Sequence, residues 1–191
     1  MNKLVSFLLL MVLFSSCDKE DVPNPARTMR YTDLQDTEIT AGIHKRVDLD
    51  GDGRNDLLFK TMLLGDGPGQ RVRLQFYANT SIDTYQPVND HEESPILAKD
   101  APITLQYPDF TWYGITAIAL TEKVTLTPSG ETFWDGLWKN AFHKYLPVQV
   151  KKNGQSFLGW VEMSFDKAEE KLILHKAAIS TVADKAIRAG E

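Results

Sequence analysis

Cysteine is nearly missing from this chain: among 191 residues there is one, Cys17. A single thiol excludes an intramolecular disulfide and a cysteine-rich metal site. A second long apolar run is missing too, since no segment past Cys17 is apolar enough to cross a membrane as a helix. No basic stripe occurs, and Lys and Arg number 21 against 26 Asp and Glu, which argues against nucleic acid as a partner. Internal repeats are absent. So are the patterns H-E-x-x-H and G-x-S-x-G and any glycine-rich phosphate loop. The four histidines, His44, His91, His143 and His175, lie far apart in the chain and share no ligand spacing. They read as surface or strand residues.

What is present suffices for one ordinary domain: 42% of the residues are hydrophobic and 10% aromatic. The opening "MNKLVSFLLLMVLFSSC" has one early cation, Lys3, an apolar stretch from Leu4 to Phe14, then small residues. That layout is a secretory signal over residues 1–16, too short for a mature membrane span. Cys17 directly after "LFSS" resembles a bacterial lipobox. Phe14 stands where that family prefers leucine, with Leu13 one place further back. The resemblance implies a diacylated thiol at the first mature residue; the alternative is an ordinary cleaved signal that leaves a free thiol. Lys19-Glu20-Asp21 resembles the surface-export signal of Bacteroidetes-type lipoproteins. Asp18 alone resembles the inner-membrane retention signal of enteric-type lipoproteins. The lysine-acid-acid pattern is complete, so the outer membrane, with exposure at the cell surface, is the expected location. Loss of Lys3 leaves 20 Lys and Arg against 26 acids, a formal charge of −6. Residues 17–30 form the acylated cysteine and a tether that Pro23 and Pro25 keep extended.

Residues 31–191 are expected to form a single domain. In "RVRLQFYA", Val72, Leu74, Phe76 and Ala78 alternate with Arg71, Arg73, Gln75 and Tyr77, the pattern of a half-buried antiparallel strand. "DLLFKTMLL" precedes it across the glycine-rich "GDGPGQ", which predicts a hairpin. A second hairpin runs "YLPVQV", then Asn153-Gly154, then "FLGWVEMSF", with Val161, Met163 and Phe165 toward the core. "KLILHKA", "APITLQY", "GITAIALT" and "KVTLTP" also read as strands. "SGETFWDGLWKNAFHK" reads as a short helix or an aromatic-packed loop, "VADKAIRAG" as a helical turn or a frayed end, and Thr80 to Pro102 as a long surface loop. Eight to ten short strands predict an all-β fold: an antiparallel sandwich, or a partly open barrel, with at most one or two short helices.

The most specific pattern is "VDLDGDGRNDLLF". Asp48, Asp50, Asp52 and Asp56 take positions 1, 3, 5 and 9 of a calcium-type loop. Gly53 falls at the sharp turn, and Arg54 at position 7 offers its carbonyl oxygen. Carboxylates about 5 Å apart repel by roughly 3 kcal/mol per pair at an effective dielectric near 20, so the spacing calls for a cation. The loop resembles those of FG-GAP and VCBS repeats, dockerins and thrombospondin type 3 repeats. Phe59 stands at position 12, where an EF-hand has a bidentate glutamate, so an affinity on the order of 10⁻⁴ to 10⁻³ M is expected. One copy of the motif cannot build a β-propeller.

Trp112, Tyr113, Trp134 and Trp138 lie partly in loop-like sequence and form a candidate platform for stacking on sugar rings, or else part of the core. Trp160 either packs under another layer or stands exposed on its sheet. Taken together, these residues predict a lipid-anchored, calcium-stabilised envelope protein, a non-catalytic interaction or accessory subunit with a protein partner. Two alternatives stand beside it: a surface glycan-binding accessory protein, and a hydrolase with an unrecognised carboxylate site.

Overall fold

The computed structural model describes residues 28–191. The expected signal 1–16, Cys17 and most of the tether lie outside the described residues. Among the described residues no helix is long and apolar enough to cross a membrane. In chain order the strands are β1 (Met29–Ile39), β2 (Lys45–Val47), β3 (Leu57–Asp66), β4 (Arg71–Thr80), β5 (Thr84–Val88), β6 (Pro102–Ile103) and β7 (Thr111–Gly114). There follow β8 (Ala117–Leu126), β9 (Thr132–Asp135), a 3-10 turn (Leu137–Asn140), β10 (Lys144–Lys152), β11 (Gln155–Asp166), β12 (Lys171–Ser180) and β13 (Ile187–Arg188).

The strands form an antiparallel sandwich, not a closed barrel. One sheet has the order β1-β12-β11-β10-β5-β7, the other β2-β3-β4-β8-β9. The core lies between them. Leu57, Phe59, Phe76, Ala78 and Leu120 of the five-stranded sheet meet Leu146, Val148, Val161, Met163, Leu172 and Leu174 of the six-stranded one. Period-2 alternation produces this layer: Val161 and Met163 are fully buried on one face of β11 and Phe165 nearly so. Both expected hairpins form. In the second, Asn153 and Gly154 take φ of 51° and 78°, the paired positive values of a two-residue hairpin turn.

A third, small layer was not legible in the sequence. β6 and β13 pair with each other and lie over the outer face of the six-stranded sheet. Ile103, Ile187 and Ala189 there cover Met29, Tyr145, Leu158, Trp160 and Ala178. Trp160 therefore packs under another layer, at 1% exposure.

Several expectations are corrected. The span Thr80 to Pro102 is not all surface loop, because β5 lies inside it and joins β10 to β7. Its inward residues, Thr84 and Gln86, are polar: Thr84 Oγ1 donates to Asp56 and Gln86 Nε2 to Ala78 O and Thr116, while Gln86 Oε1 is buried without a partner. Burial without hydrophobicity hid the strand. "GITAIALT" and "KVTLTP" contribute to one strand, β8, bent by a bulge opposite Phe76 and Tyr77. "APITLQY" supplies only the two residues of β6, and the C-terminal stretch supplies β13 instead of a helical turn. β1 starts at Met29, itself buried, so the last residues of the expected tether belong to the domain.

Candidate metal centre

The aspartate loop joins β2 to β3 at one end of the sandwich. Its wrapping is local chemistry. Asp48 Oδ1 and Oδ2 accept from the N–H groups of Gly51 and Gly53 at 2.6 and 2.9 Å, Asp50 Oδ1 from Asp52 N at 3.1 Å, and Asp52 Oδ1 from Arg54 N at 2.8 Å. Short aspartate side chains bonding to backbone a few residues ahead favour such turns. Gly51 and Gly53 take φ of 71° and 86°, and a Cβ on Gly51 would fall 1.8 Å from the Arg30 guanidinium. Arg30 occupies that space to donate from Nη1 to Asp50 O at 3.0 Å.

Asp56 anchors the loop from below. It is buried, and its Oδ2 accepts from Leu49 N at 2.7 Å while its Oδ1 accepts from Thr84 Oγ1 at 3.1 Å. Its backbone is pinned as well, by Asp56 N to Val47 O and Ser81 N to Asp56 O, each at 2.8 Å. Burial pushes the Asp56 carboxyl above the ordinary aspartate value, and Asp50 and Asp48 push the same way. The Leu49 N–H and the Thr84 hydroxyl oppose that rise.

Carboxylate oxygens of Asp48, Asp50 and Asp56 lie within 4.8 Å of one another, and these three can hold a metal ion. Beside them opens a hollow of about 260 Å³, lined by Asp50, Asp52, Asp56 and Asp83 among others. The fourth expected carboxylate, Asp52, stands outside this group of three. Its Oδ2 accepts from Arg54 Nε and Nη2 at 3.0 and 2.8 Å, and Arg54 holds the carboxyl below its usual value. The chain also brings a cation of its own: Lys152, at the end of β10, puts Nζ 2.6 Å from Asp50 Oδ2 and 3.6 Å from Asp52 Oδ2. Carboxylate repulsion is thus partly offset without a metal, which the sequence argument did not foresee.

The loop touches both sheets. Its strands β2 and β3 belong to the five-stranded sheet, while Arg30, Thr84 and Lys152 come from the six-stranded one.

The aromatic candidates do not assemble. Trp138 is 1% exposed in the main core and Trp134 packs against that core, edge-on to Phe165 with ring centroids 4.9 Å apart. Trp112 packs against the second cluster, beside Tyr107. Tyr113 alone of the four is exposed.

One arrangement escaped sequence reasoning. Asp36 Oδ1 lies 2.5 Å from His175 Nδ1, and His175 Nε2 lies 2.7 Å from Ser164 Oγ. The His143 ring stacks on His175 at 4.4 Å, and His143 N donates to the same Ser164 Oγ at 2.9 Å. Carboxylate, imidazole and hydroxyl stand in the order of an acyl-transfer site. Here Ser164 is buried, and the series stitches the bulge of β1 to the bulge between β11 and β12. Bulges break the period-2 pattern, so no periodic signal announced it.

Compared with known protein families, curated proteins and solved structures, the chain matches none of them.

Proposed function

We propose that the chain is a lipid-anchored protein of the bacterial outer membrane, exposed at the cell surface, whose aspartate loop binds one structural calcium ion. It works as a non-catalytic interaction or accessory subunit. The observation that carries the metal reading is the convergence of Asp48, Asp50 and Asp56 at a junction of the two sheets. Carboxylate oxygens alone are the donor set a hard cation takes, and backbone carbonyls and water complete six to eight ligands. An ion there neutralises Asp56, whose charged form burial disfavours, and it holds the β2–β3 connection against the six-stranded sheet. The anchor rests on Cys17 and the residues around it. Of the four aromatics behind the glycan-binding alternative, Trp134 and Trp138 are committed to the core.

Calorimetric titration of calcium into the chain that follows Cys17, with melting curves alongside, tests the metal. One ion bound per chain and a higher melting point support it; no heat and no shift reject it. Labelled palmitate incorporated by the wild type and lost in Cys17→Ala tests the anchor.

A further inference from the structure

Where β7 of one sheet passes into β8 of the other, a cleft of about 710 Å³ opens. Val88, Phe110, Tyr113 and Ile118 give it apolar walls, and Asp90, Glu92 and Asp109 line it as well. Among the described residues no Lys, Arg or His lines it. Some exposed carboxylates elsewhere are ion-paired, Asp36 with His175, Glu38 with Lys171, Asp52 with Arg54 and Asp135 with Lys139, and others, such as Asp83 and Glu131, are not. The carboxylates of Asp90, Glu92 and Asp109 take no hydrogen bond or ion pair from the described residues.

The walls carry their own local contacts. Asn89 Oδ1 accepts from His91 N and Glu93 N at 3.0 and 2.9 Å, and the Tyr107 and Phe110 rings meet edge to face. Glu92, Asp109 and Ile115 hold φ of 60°, 64° and 55°. Left-handed backbone is costly for a β-branched residue, and Ile115 is 75% exposed, so burial does not repay it. Such strain concentrates at binding sites.

β7 is also an open edge. Among the described residues it pairs with β5 alone, and its residues Thr111-Trp112-Tyr113-Gly114 include no charge, proline or bulge. The opposite edge of the same sheet, β1, carries a bulge and Asp33, Asp36 and Glu38, the devices that deter strand addition.

We infer that this cleft docks an extended basic segment of a partner polypeptide, added as a strand along β7 with its cationic side chains on Asp90, Glu92 and Asp109. The inference rests on the interaction-subunit reading and names the kind of segment that subunit takes. Charge complementarity and unpaired backbone select this occupant.

The test uses the full mature chain with Cys17→Ser, labelled with ¹⁵N and saturated with calcium. The probe is a capped octapeptide of alternating lysine and valine. Saturable shifts confined to amides 109–118 are expected, with affinity about tenfold weaker in Asp90→Asn/Glu92→Gln/Asp109→Asn at an unchanged melting point. A glutamate–valine peptide and a lysine–proline peptide should leave those amides unmoved. Equal binding of the lysine–proline peptide, shifts scattered over the surface, or no binding overturns the proposal. So does a neutral oligosaccharide that moves the same amides when the lysine–valine peptide does not. A photo-crosslinking residue at Tyr113, or at exposed Leu63 on β3, separates the two levels in the native envelope. Cross-links from Leu63 alone overturn the cleft and keep the interaction subunit; cross-links from neither overturn both.

Discussion

Lys152 Nζ lies 2.6 Å from Asp50 Oδ2, an oxygen shut off from solvent, so a cation from one sheet already sits on the loop of the other. The Asp50 carboxylate raises the Lys152 pKa further, which keeps the ammonium charged. Calcium and Lys152 therefore compete for the same oxygen. Lys152→Met should bind calcium roughly fivefold more tightly, because displacing a part-exposed ion pair costs about 1 kcal/mol. The same variant should melt lower than wild type without calcium. Calorimetry and melting curves on both chains read these effects, and an unchanged affinity would remove Lys152 from the site.

The four aspartates should separate by role. Asp48→Ala and Asp50→Ala remove oxygens from the converging group and should abolish the calcium-induced rise in melting point. That rise should be about 3–10 °C at 10–100 times the dissociation constant, since binding adds about 1.4–2.7 kcal/mol. Asp52→Ala should keep most of it, because Asp52 lies outside that group and its carboxylate is held by Arg54. If Asp52→Ala alone abolished the response, the ligand set drawn from the geometry would be wrong.

These variants show what spacing could and could not convey. The D-x-D-x-D pattern located the loop, and the alternation in "RVRLQFYA" and "FLGWVEMSF" located the sheets, because both are local regularities. The arrival of Lys152 depends on a hairpin a hundred residues away, and no local pattern encodes that. β5 hid behind buried Thr84 and Gln86, and the β6–β13 layer hid because two-residue strands have no period.

That small layer is energetically committed. Ile103 is fully buried over Trp160, which is itself 1% exposed. Ile103→Ala should cost about 2–4 kcal/mol and shift Trp160 emission to the red as water reaches the indole. Denaturant titration and fluorescence of the native state measure the two effects separately. A cost below about 0.5 kcal/mol, the range of ordinary surface substitutions, would mean the layer does not contribute to the fold.

Alkaline pH should loosen the same layer. Tyr107 donates from its hydroxyl to Pro102 O at 3.0 Å, and burial pushes its pKa up to about 12 from an ordinary 10.0. The folded state therefore keeps this proton after the unfolded state has released it. The stabilisation is complete below pH 10 and is lost as pH climbs toward 12. Unfolding free energy measured at pH 9 and pH 11 should fall more in wild type than in Tyr107→Phe, which has no proton to lose. Equal losses would place the alkaline sensitivity elsewhere.

Trp138 and Tyr113 entered the candidate platform together, yet the fold assigns them opposite duties. Trp138 fills the main core at 1% exposure, with Nε1 donating to Ser94 O at 3.4 Å, whereas Tyr113 is 54% exposed on the edge strand. Trp138→Ala should cost about 3–5 kcal/mol and lower the melting point by about 6–20 °C. Tyr113→Ala should stay within about 0.5 kcal/mol of wild type. The pair also decides whether a sugar platform survives in any form. Were the aromatics a binding surface, Trp138→Ala would leave the melting point alone and Trp138 would be reachable by an aqueous quencher. Burial makes the opposite prediction on both counts: a large loss of stability, and in the wild type an indole that iodide does not reach.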